Sequence, residues 1–220
     1  LVVTDGERSL SAVDLVSGEI RWRHTMPHRG QCRVRRAGRL ILEVSGGPSM
    51  AAIDVQTGDL VWRVADSRSF CLSPTVDHDD VFAIAGDPSL GPSCSARLIA
   101  VDAWSGQQRF NAEIPAGLCP WAPPITTSDS VAVVVESEQQ LGLVVFDRQT
   151  GALRYKLAPG LAPLGSAWLA VDDTIVVNTE QGELFSIEAV SGRTVYRHLL
   201  SQVVTDDGVP RRLEPVLRSG

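Results

Sequence analysis

Short apolar runs alternate along the 220-residue chain with clusters of glycine, proline, aspartate and serine. The longest runs, such as Val131 to Val135, have the length of a β-strand. No segment shows the periodicity of an amphipathic helix together with helix start and stop signals. This pattern predicts an all-β chain built from many short strands joined by tight turns.

One frame recurs five times: an apolar run ends at an acidic residue, two variable residues and then Ser or Thr and Gly follow, and an aromatic residue comes four positions after the Gly. Each frame predicts a β-hairpin, because Gly adopts positive φ in a turn and Asp accepts backbone N–H bonds there. We expect the acidic residues to cap turns and the aromatic residues to cover the joint between neighbouring sheets. The residues that define the repeat are Asp14, Gly18, Trp22, Asp54, Gly58, Trp62, Asp102, Gly106, Phe110, Asp147, Gly151, Tyr155, Glu188, Gly192 and Tyr196.

A second, looser pair of strands precedes each hairpin, and four antiparallel strands in roughly 40–45 residues are typical of a β-propeller blade. We therefore predict a single β-propeller domain over residues 1–220, with about five four-stranded antiparallel blades. The C-terminal strand either closes the ring or the chain is a piece of a larger propeller, and its start at Leu1 without Met suggests a processed product or a piece of something longer. The predicted blades are 1–24 completed by a strand at 210–220, then 25–64, 65–112, 113–157 and 158–209.

The frame of apolar residue, Asp, three residues, Gly, three residues and Trp resembles the repeat of the pyrroloquinoline-quinone (PQQ) propeller superfamily. The resemblance covers essentially the whole chain and is closest at Asp14 to Trp22 and at Asp54 to Trp62. Members of that superfamily include quinone-dependent dehydrogenases, the propeller lipoprotein of the outer-membrane β-barrel assembly machinery, and extracytoplasmic sensor domains of bacterial kinases. Because the shared motif reflects blade packing, the resemblance does not imply that the quinone is bound. Later repeats depart from the pattern at Phe110, Tyr155, Glu188 and Tyr196.

The charge balance excludes some partners. Lys and Arg number 20 against 26 Asp and Glu, which gives a net charge of −6. Nucleic-acid binding depends on clustered basic residues, so a nucleic-acid partner is not expected. No apolar run reaches the roughly 20 residues of a membrane-spanning helix, so no membrane span is expected within the chain.

The four cysteines are all predicted to lie in loops on one face of the propeller. Cys32, Cys71 and Cys119 precede first strands, and Cys94 lies in the long insert at 86–95. An even number of loop cysteines suggests disulfides and an oxidising compartment, which means an extracytoplasmic, cell-envelope or secreted location. Among the three pairings of four cysteines, Cys32–Cys71 with Cys94–Cys119 is favoured, and four separate buried thiols are the alternative.

The same face carries the two longest irregular segments, at 87–95 and 114–124. Trp121 is flanked by prolines and is a candidate anchor for a partner peptide, because rigid aromatic residues dominate binding hot spots. The candidate binding face comprises Trp121, Pro120 and Leu90. The alternative is that Trp121 packs into the mouth of the ring as a plug.

No catalytic or metal-binding constellation stands out from the repeats. The family's dehydrogenases tend to show an adjacent cysteine pair and a calcium held by Glu, Asn and Asp oxygens, and neither pattern occurs here. The segment Asp77 to Asp80 is the densest set of potential ligands, and its place between two strands favours a solvated turn. We therefore predict a non-enzymatic scaffold without PQQ or calcium, which binds a protein or peptide through the cysteine-bearing face. Two alternatives are a ligand-sensing domain of a larger membrane receptor or kinase, and a PQQ-dependent dehydrogenase-like quinoprotein.

Overall fold

A computed structural model shows an all-β protein. The described residues form 22 strands, of which the first twenty build five consecutive antiparallel sheets and the last two form a separate hairpin. Among these residues, no helix is long and apolar enough to cross a membrane. The structure describes residues 1–4, 8–27, 32–87, 94–163, 167–179, 182–199, 203–204 and 210–211.

The strands of each sheet follow one another in chain order, so each sheet is a meander of neighbouring hairpins. In the first sheet three strands are described. In the fourth sheet the first strand is split into two short pieces, Cys119–Pro120 and Ile125–Thr126, which both pair with the strand Ser130–Ser137. The strands are β1 Val2–Thr4, β2 Ser9–Val13 and β3 Ile20–Thr25; β4 Arg33–Ala37, β5 Leu40–Val44, β6 Ser49–Asp54 and β7 Leu60–Ala65; β8 Thr75–Asp77, β9 Asp80–Gly86, β10 Ala96–Asp102 and β11 Gln108–Glu113; β12 Cys119–Pro120, β13 Ile125–Thr126, β14 Ser130–Ser137, β15 Gln140–Asp147 and β16 Leu153–Pro163; β17 Ala167–Val171, β18 Thr174–Asn178, β19 Glu183–Glu188 and β20 Thr194–Leu199; β21 Val203–Val204 and β22 Pro210–Arg211.

Consecutive sheets pack face to face, and the first strands of the second to fifth sheets contact one another in succession. This stacking of separate antiparallel sheets around their first strands is the arrangement of a β-propeller, which confirms the predicted fold class. Burial of the apolar faces stabilises each interface, at about 25 cal/mol per Å². Each of four apolar clusters is shared by two neighbouring sheets, with Leu10 and Ile53, Met50 and Ile99, Leu98 and Val133, and Val145 and Phe185 as representative members.

The outer strand of the fourth sheet, β16, is the longest described strand, and the predicted blade limits stay predictions. β16 runs past the predicted end of the fourth blade at residue 157 and continues to Pro163. The hairpin of β14 and β15 is long, so β15 offers a partner to β16 as far as Gln140.

The predicted closing strand at 210–220 is described only at Pro210–Arg211. These two residues form β22 and pair with Val203–Val204. The remainder, 212–220, lies outside the described residues, and closure of the ring by a C-terminal strand stays a prediction.

Candidate functional site

Four of the five hairpin turns are capped by the aspartate that begins them. In the second sheet, Asp54 Oδ1 accepts hydrogen bonds from the backbone N–H groups of Gln56 at 2.8 Å and Thr57 at 3.2 Å. The N–H of Gly58 donates to the carbonyl oxygen of Asp54 at 2.9 Å, and Gly58 has a φ of +78° that favours glycine. These carboxylates therefore hold the backbone of the turn. The same bonds form at Asp14, Asp102 and Asp147.

In three sheets an arginine seven positions after the aspartate binds its second oxygen. Arg154 Nη2 lies 2.7 Å from Asp147 Oδ2. The Arg154 guanidinium and the N–H of Thr150 hold the pKa of the Asp147 carboxyl well below its usual range, because both bind its charged form. The equivalent pairs are Arg21 with Asp14 and Arg109 with Asp102.

The aromatic residue of each of the first four repeats packs beneath the turn of the next sheet. The indole N–H of Trp22 donates to Val55 O at 2.9 Å, and a Cβ added at Gly58 would lie only 2.7 Å from the Trp22 ring. Only glycine fits so close to the ring, so the repeat-defining Gly and aromatic residues meet across sheets as two halves of one joint. The other joints pair Trp62 with Gly106, Phe110 with Gly151, and Tyr155 with Gly192.

An ion pair that the repeat does not predict links the third and fourth sheets. Arg148 is largely buried, binds Asp77 Oδ2, and lies 3.2 Å from Asp80 Oδ2. Its Nη1 also donates to Thr127 O at 2.9 Å, and its guanidinium lies 5.5 Å from the centre of the Phe82 ring. Arg148 occupies a variable position of the turn, so its partner could not be read from the frame.

The acidic segment Asp77 to Asp80 forms the turn between β8 and β9, and its side chains are engaged by neighbours. Asp79 accepts the indole N–H of Trp104 at 2.8 Å, and Asp80 is bound by arginines. His78 is exposed, has a φ of +54° and lies 2.7 Å from Asp77. Within the described ranges, no group of three or more His, Cys, Asp or Glu residues is placed to hold a metal ion.

The first strand of the fourth sheet is interrupted by a short arch, residues 121–124, which connects β12 to β13. Before the arch, Cys119 and Pro120 pair with Glu136 and Val135 of β14. Within it, the backbone N–H of Trp121 donates to Val134 O at 2.9 Å. The sequence predicted an irregular segment here and did not foresee β12, because a strand of two residues with a proline carries no pattern of its own.

The arch is also fastened to the third sheet, and it presents an exposed indole. Thr75 Oγ1 donates to Pro124 O at 2.5 Å. The side chain of Trp121 is 48% exposed, whereas Pro120 is buried in β12 and adds no contact surface. Leu90, the third residue of the predicted binding face, lies outside the described residues.

All four cysteines lie near the strand ends opposite the Ser/Thr–Gly turns, which we call the cysteine face. Cys32 precedes β4 and Cys94 precedes β10, while Cys119 begins β12. The backbone N–H of Cys71 donates to Ile84 O at 3.2 Å, near the end of β9. No disulfide joins any of the four in this structure, and the predicted pairing stays a prediction.

The two asparagines of the chain do not share one candidate site for a calcium-bound quinone. Such a site brings carboxylate and amide oxygens together around the metal. The asparagines of the chain are Asn111, exposed on the outer strand β11, and Asn178 on β18, two sheets further along. The structure thus holds them in different sheets rather than in one ligand set.

Comparison with known proteins agrees with this architecture. A PQQ-type family model described as outer membrane protein assembly factor BamB matches residues 6–154 and 91–207. A search of curated proteins gave no significant match. Among solved structures, BamB from Moraxella catarrhalis is similar, with 21% sequence identity and a TM-score of 0.63 over 90% of this chain and 57% of that chain.

Two dehydrogenases share the fold as well. A europium-containing methanol dehydrogenase has 12% identity and a TM-score of 0.63, covering 93% of this chain and 51% of that chain. Quinohemoprotein alcohol dehydrogenase from Comamonas testosteroni has 15% identity and a TM-score of 0.62, covering 95% of this chain and 43% of that chain. This chain spans about half the length of these structures, and at such identities the likeness shows the fold alone.

The family match includes every joint described above. Both matched stretches together run from residue 6 to residue 207, and all five turns and all five aromatic positions fall within them. The chain therefore belongs to the PQQ-type β-propeller family described by the outer membrane assembly factor BamB.

Proposed function

We propose that this chain is a non-enzymatic scaffold that binds a protein or peptide outside the cytoplasm through the arch at 121–124. The observation that carries the proposal is the exposed indole of Trp121 on a backbone fixed from both sides. An aromatic side chain has only two rotatable side-chain bonds, so on a backbone that is already held it loses little conformational entropy when a partner covers it, and more of its burial appears as affinity.

A comparison with Trp104 supports this role. Trp104 is 45% exposed, but its indole N–H donates to Asp79, and its ring lies against Gly38. Within the described part of the chain, no acceptor is found for the indole N–H of Trp121. Trp121 thus offers both an apolar ring and an open donor, a combination that is enriched at protein interfaces.

The proposed location and the proposed class of partner are inferred from the family match. The matching family is described as an outer membrane protein assembly factor. By analogy with that family, we propose an extracytoplasmic location and a protein partner for this chain. The proposed function includes no catalytic residue, PQQ or calcium.

A peptide-binding measurement tests the proposal. The full chain would be used to select binders from a displayed library of random peptides, and the affinities of purified binders would be measured by calorimetry. We expect Trp121→Ala to weaken binding about 30-fold, equivalent to ~2 kcal/mol, because a hot-spot indole is lost.

Trp104→Ala is the matched control, since Trp104 has nearly the same exposure and lies at the Ser–Gly turn of the third sheet. It should change affinity less than about twofold. Selected peptides that bind wild type and Trp121→Ala equally would move the binding site away from the arch, and a failure to select any peptide would count against the scaffold role.

A further inference from the structure

Two of the four cysteines meet in the apolar core between the third and fourth sheets. Cys94 and Cys119 are 3% and 4% exposed and belong to one buried cluster with Leu98 and Val135. The two thiols are in hydrogen-bond contact with each other. The two cysteines are 25 positions apart in sequence. Cys94 precedes β10 of the third sheet, and Cys119 begins β12 of the fourth sheet.

The register of the strands explains why these thiols meet. Cys94 lies two residues before Ala96, which begins β10 opposite Gly86 at the cysteine face. Cys119 begins β12 opposite Glu136, near the end of β14 at the same face. Because both segments reach the cysteine face between the same two sheets, their short side chains point into a shared space.

We propose that Cys94 and Cys119 form a disulfide that links the insert after β9 to the start of the arch. In the balanced reaction both thiols lose their protons, one sulfur–sulfur bond forms, and two electrons pass to an oxidant. The oxidant we name is a protein or small-molecule disulfide, which is reduced to two thiols by thiol–disulfide exchange through a mixed disulfide. Such oxidants belong to extracytoplasmic compartments.

Cys71 is the competing partner, since it is half-buried and packs against the same cluster. Its thiol, however, faces the carbonyl oxygen of Ile84, with Sγ 3.8 Å from that oxygen. The mutual contact and the deeper burial of Cys94 and Cys119 therefore favour the bond between those two.

Burial also determines when the bond forms. Burial and the neighbouring Cys119 thiol raise the pKa of Cys94 to about 12, and burial raises the pKa of Cys71 to about 11. The thiolate is the reactive form, so exchange in the folded protein is slow. We expect the bond to form while the chain folds, and afterwards to resist reduction until the protein is unfolded.

Peptide mapping without reduction tests the pairing. The full chain would be exported to a bacterial periplasm, denatured, alkylated without reductant, and cleaved before aspartate. This cleavage separates all four cysteines, whereas trypsin would leave Cys71 and Cys94 between the same two arginines, Arg68 and Arg97. The relevant fragments are 14–53, 66–76, 87–101 and 102–128.

We expect fragment 87–101 linked to fragment 102–128, with a mass two hydrogens below the sum. Cys71→Ala should keep this link, whereas Cys94→Ala should leave Cys119 open to alkylation. A link from 66–76 to either fragment, or four alkylated cysteines in wild type, overturns the proposal. Reductant added to the native protein should leave the link intact, and the same reductant in denaturant should break it.

Discussion

Tyr155 and Tyr196 occupy the same place in the fourth and fifth repeats, and their surroundings differ. The ring of Tyr155 lies beneath Gly192, and its hydroxyl donates to Ala189 O at 2.9 Å. Burial raises the pKa of Tyr155 to about 12, so the hydroxyl remains a proton donor at neutral pH. Tyr196 is 37% exposed, and within the described residues no turn covers it. Among the described residues, the motif builds a joint where the next sheet supplies a glycine turn.

Among the described residues, no aromatic ring packs against the turn glycine of the first repeat. A Cβ added at Gly18 would meet nothing within 4 Å, whereas one at Gly192 would lie 2.8 Å from the Tyr155 ring. Leu15 and Val16 in that first turn are exposed, while Ala189 of the fifth turn is buried. The same sequence frame thus gives either a packed interface or an apolar surface, and the neighbouring sheet decides which.

The largest expected effect is the difference in unfolding free energy between alanine substitutions of Tyr155 and Tyr196. We expect Tyr155→Ala to lower the free energy of unfolding by about 3 kcal/mol, because it empties a packed joint and removes a hydrogen bond. Tyr196→Ala should cost less than about 1 kcal/mol, because much of that ring is already in contact with water. Denaturant unfolding followed by tryptophan fluorescence measures both.

The hydroxyl contribution can be separated with phenylalanine. Tyr155→Phe keeps the ring beneath Gly192 and should cost about 1 kcal/mol, whereas Tyr196→Phe should be close to neutral. Equal losses for Tyr155→Ala and Tyr196→Ala would mean that the joint adds nothing to stability beyond the strand itself.

The sequence predicted the turns and an aromatic cover between sheets, because both rest on local chemistry that repeats. It did not predict that each ring packs against the turn glycine of the next repeat. Gly at a turn, Asp before it and an aromatic residue on the returning strand can each be recognised without a neighbour. Five copies at similar intervals also revealed the four-stranded units and the propeller. The extent of β16 was not predicted, because it depends on the length of the hairpin against which it pairs.

Contacts between sheets that do not belong to the repeat motif were predicted less well. Arg148 was missed because it lies at a variable turn position, and its partners Asp77 and Asp80 belong to another repeat. The arch was noticed as a proline-rich segment around Trp121, but its fixation by Thr75 depends on packing of the third sheet against the fourth. Contacts that occur once leave no periodic signal, so a single sequence read by itself does not reveal them.

The second prediction tests the glycine half of the joint. Gly192 and Gly18 have φ values of +74° and +76°, so alanine at either position carries a similar backbone cost of about 1 kcal/mol. At Gly192 the added methyl group also meets the Tyr155 ring, and we expect a total loss of about 2–3 kcal/mol. Denaturant midpoints of the two variants give the difference directly, and equal midpoints would show that the ring can move aside at no cost.

The smallest expected effect concerns the charged caps of an inner and a terminal turn. The pKa of Asp147 is lowered by Arg154 and the Thr150 N–H, and that of Asp14 by the Ser17 N–H and Arg21. A carboxyl whose pKa is lower in the folded protein adds stability at pH values above its unfolded pKa, near 3.8, and this contribution is lost as the pH falls toward the folded pKa.

Asparagine keeps an oxygen that caps the turn but has no charge to lose, so Asp147→Asn and Asp14→Asn should both unfold at a lower denaturant midpoint at pH 7 and approach wild type near pH 2. The loss at pH 7 should be larger for Asp147→Asn, because its turn also covers Phe110 through Gly151, whereas the turn of Asp14 covers no ring among the described residues. Denaturant midpoints of wild type, Asp147→Asn and Asp14→Asn, measured from pH 7 to pH 2, test this prediction. A gap from wild type that stays constant down to pH 2 would show that the carboxylate charge plays no part, and identical losses for the two variants would show that the cap acts within its own turn and does not support the joint.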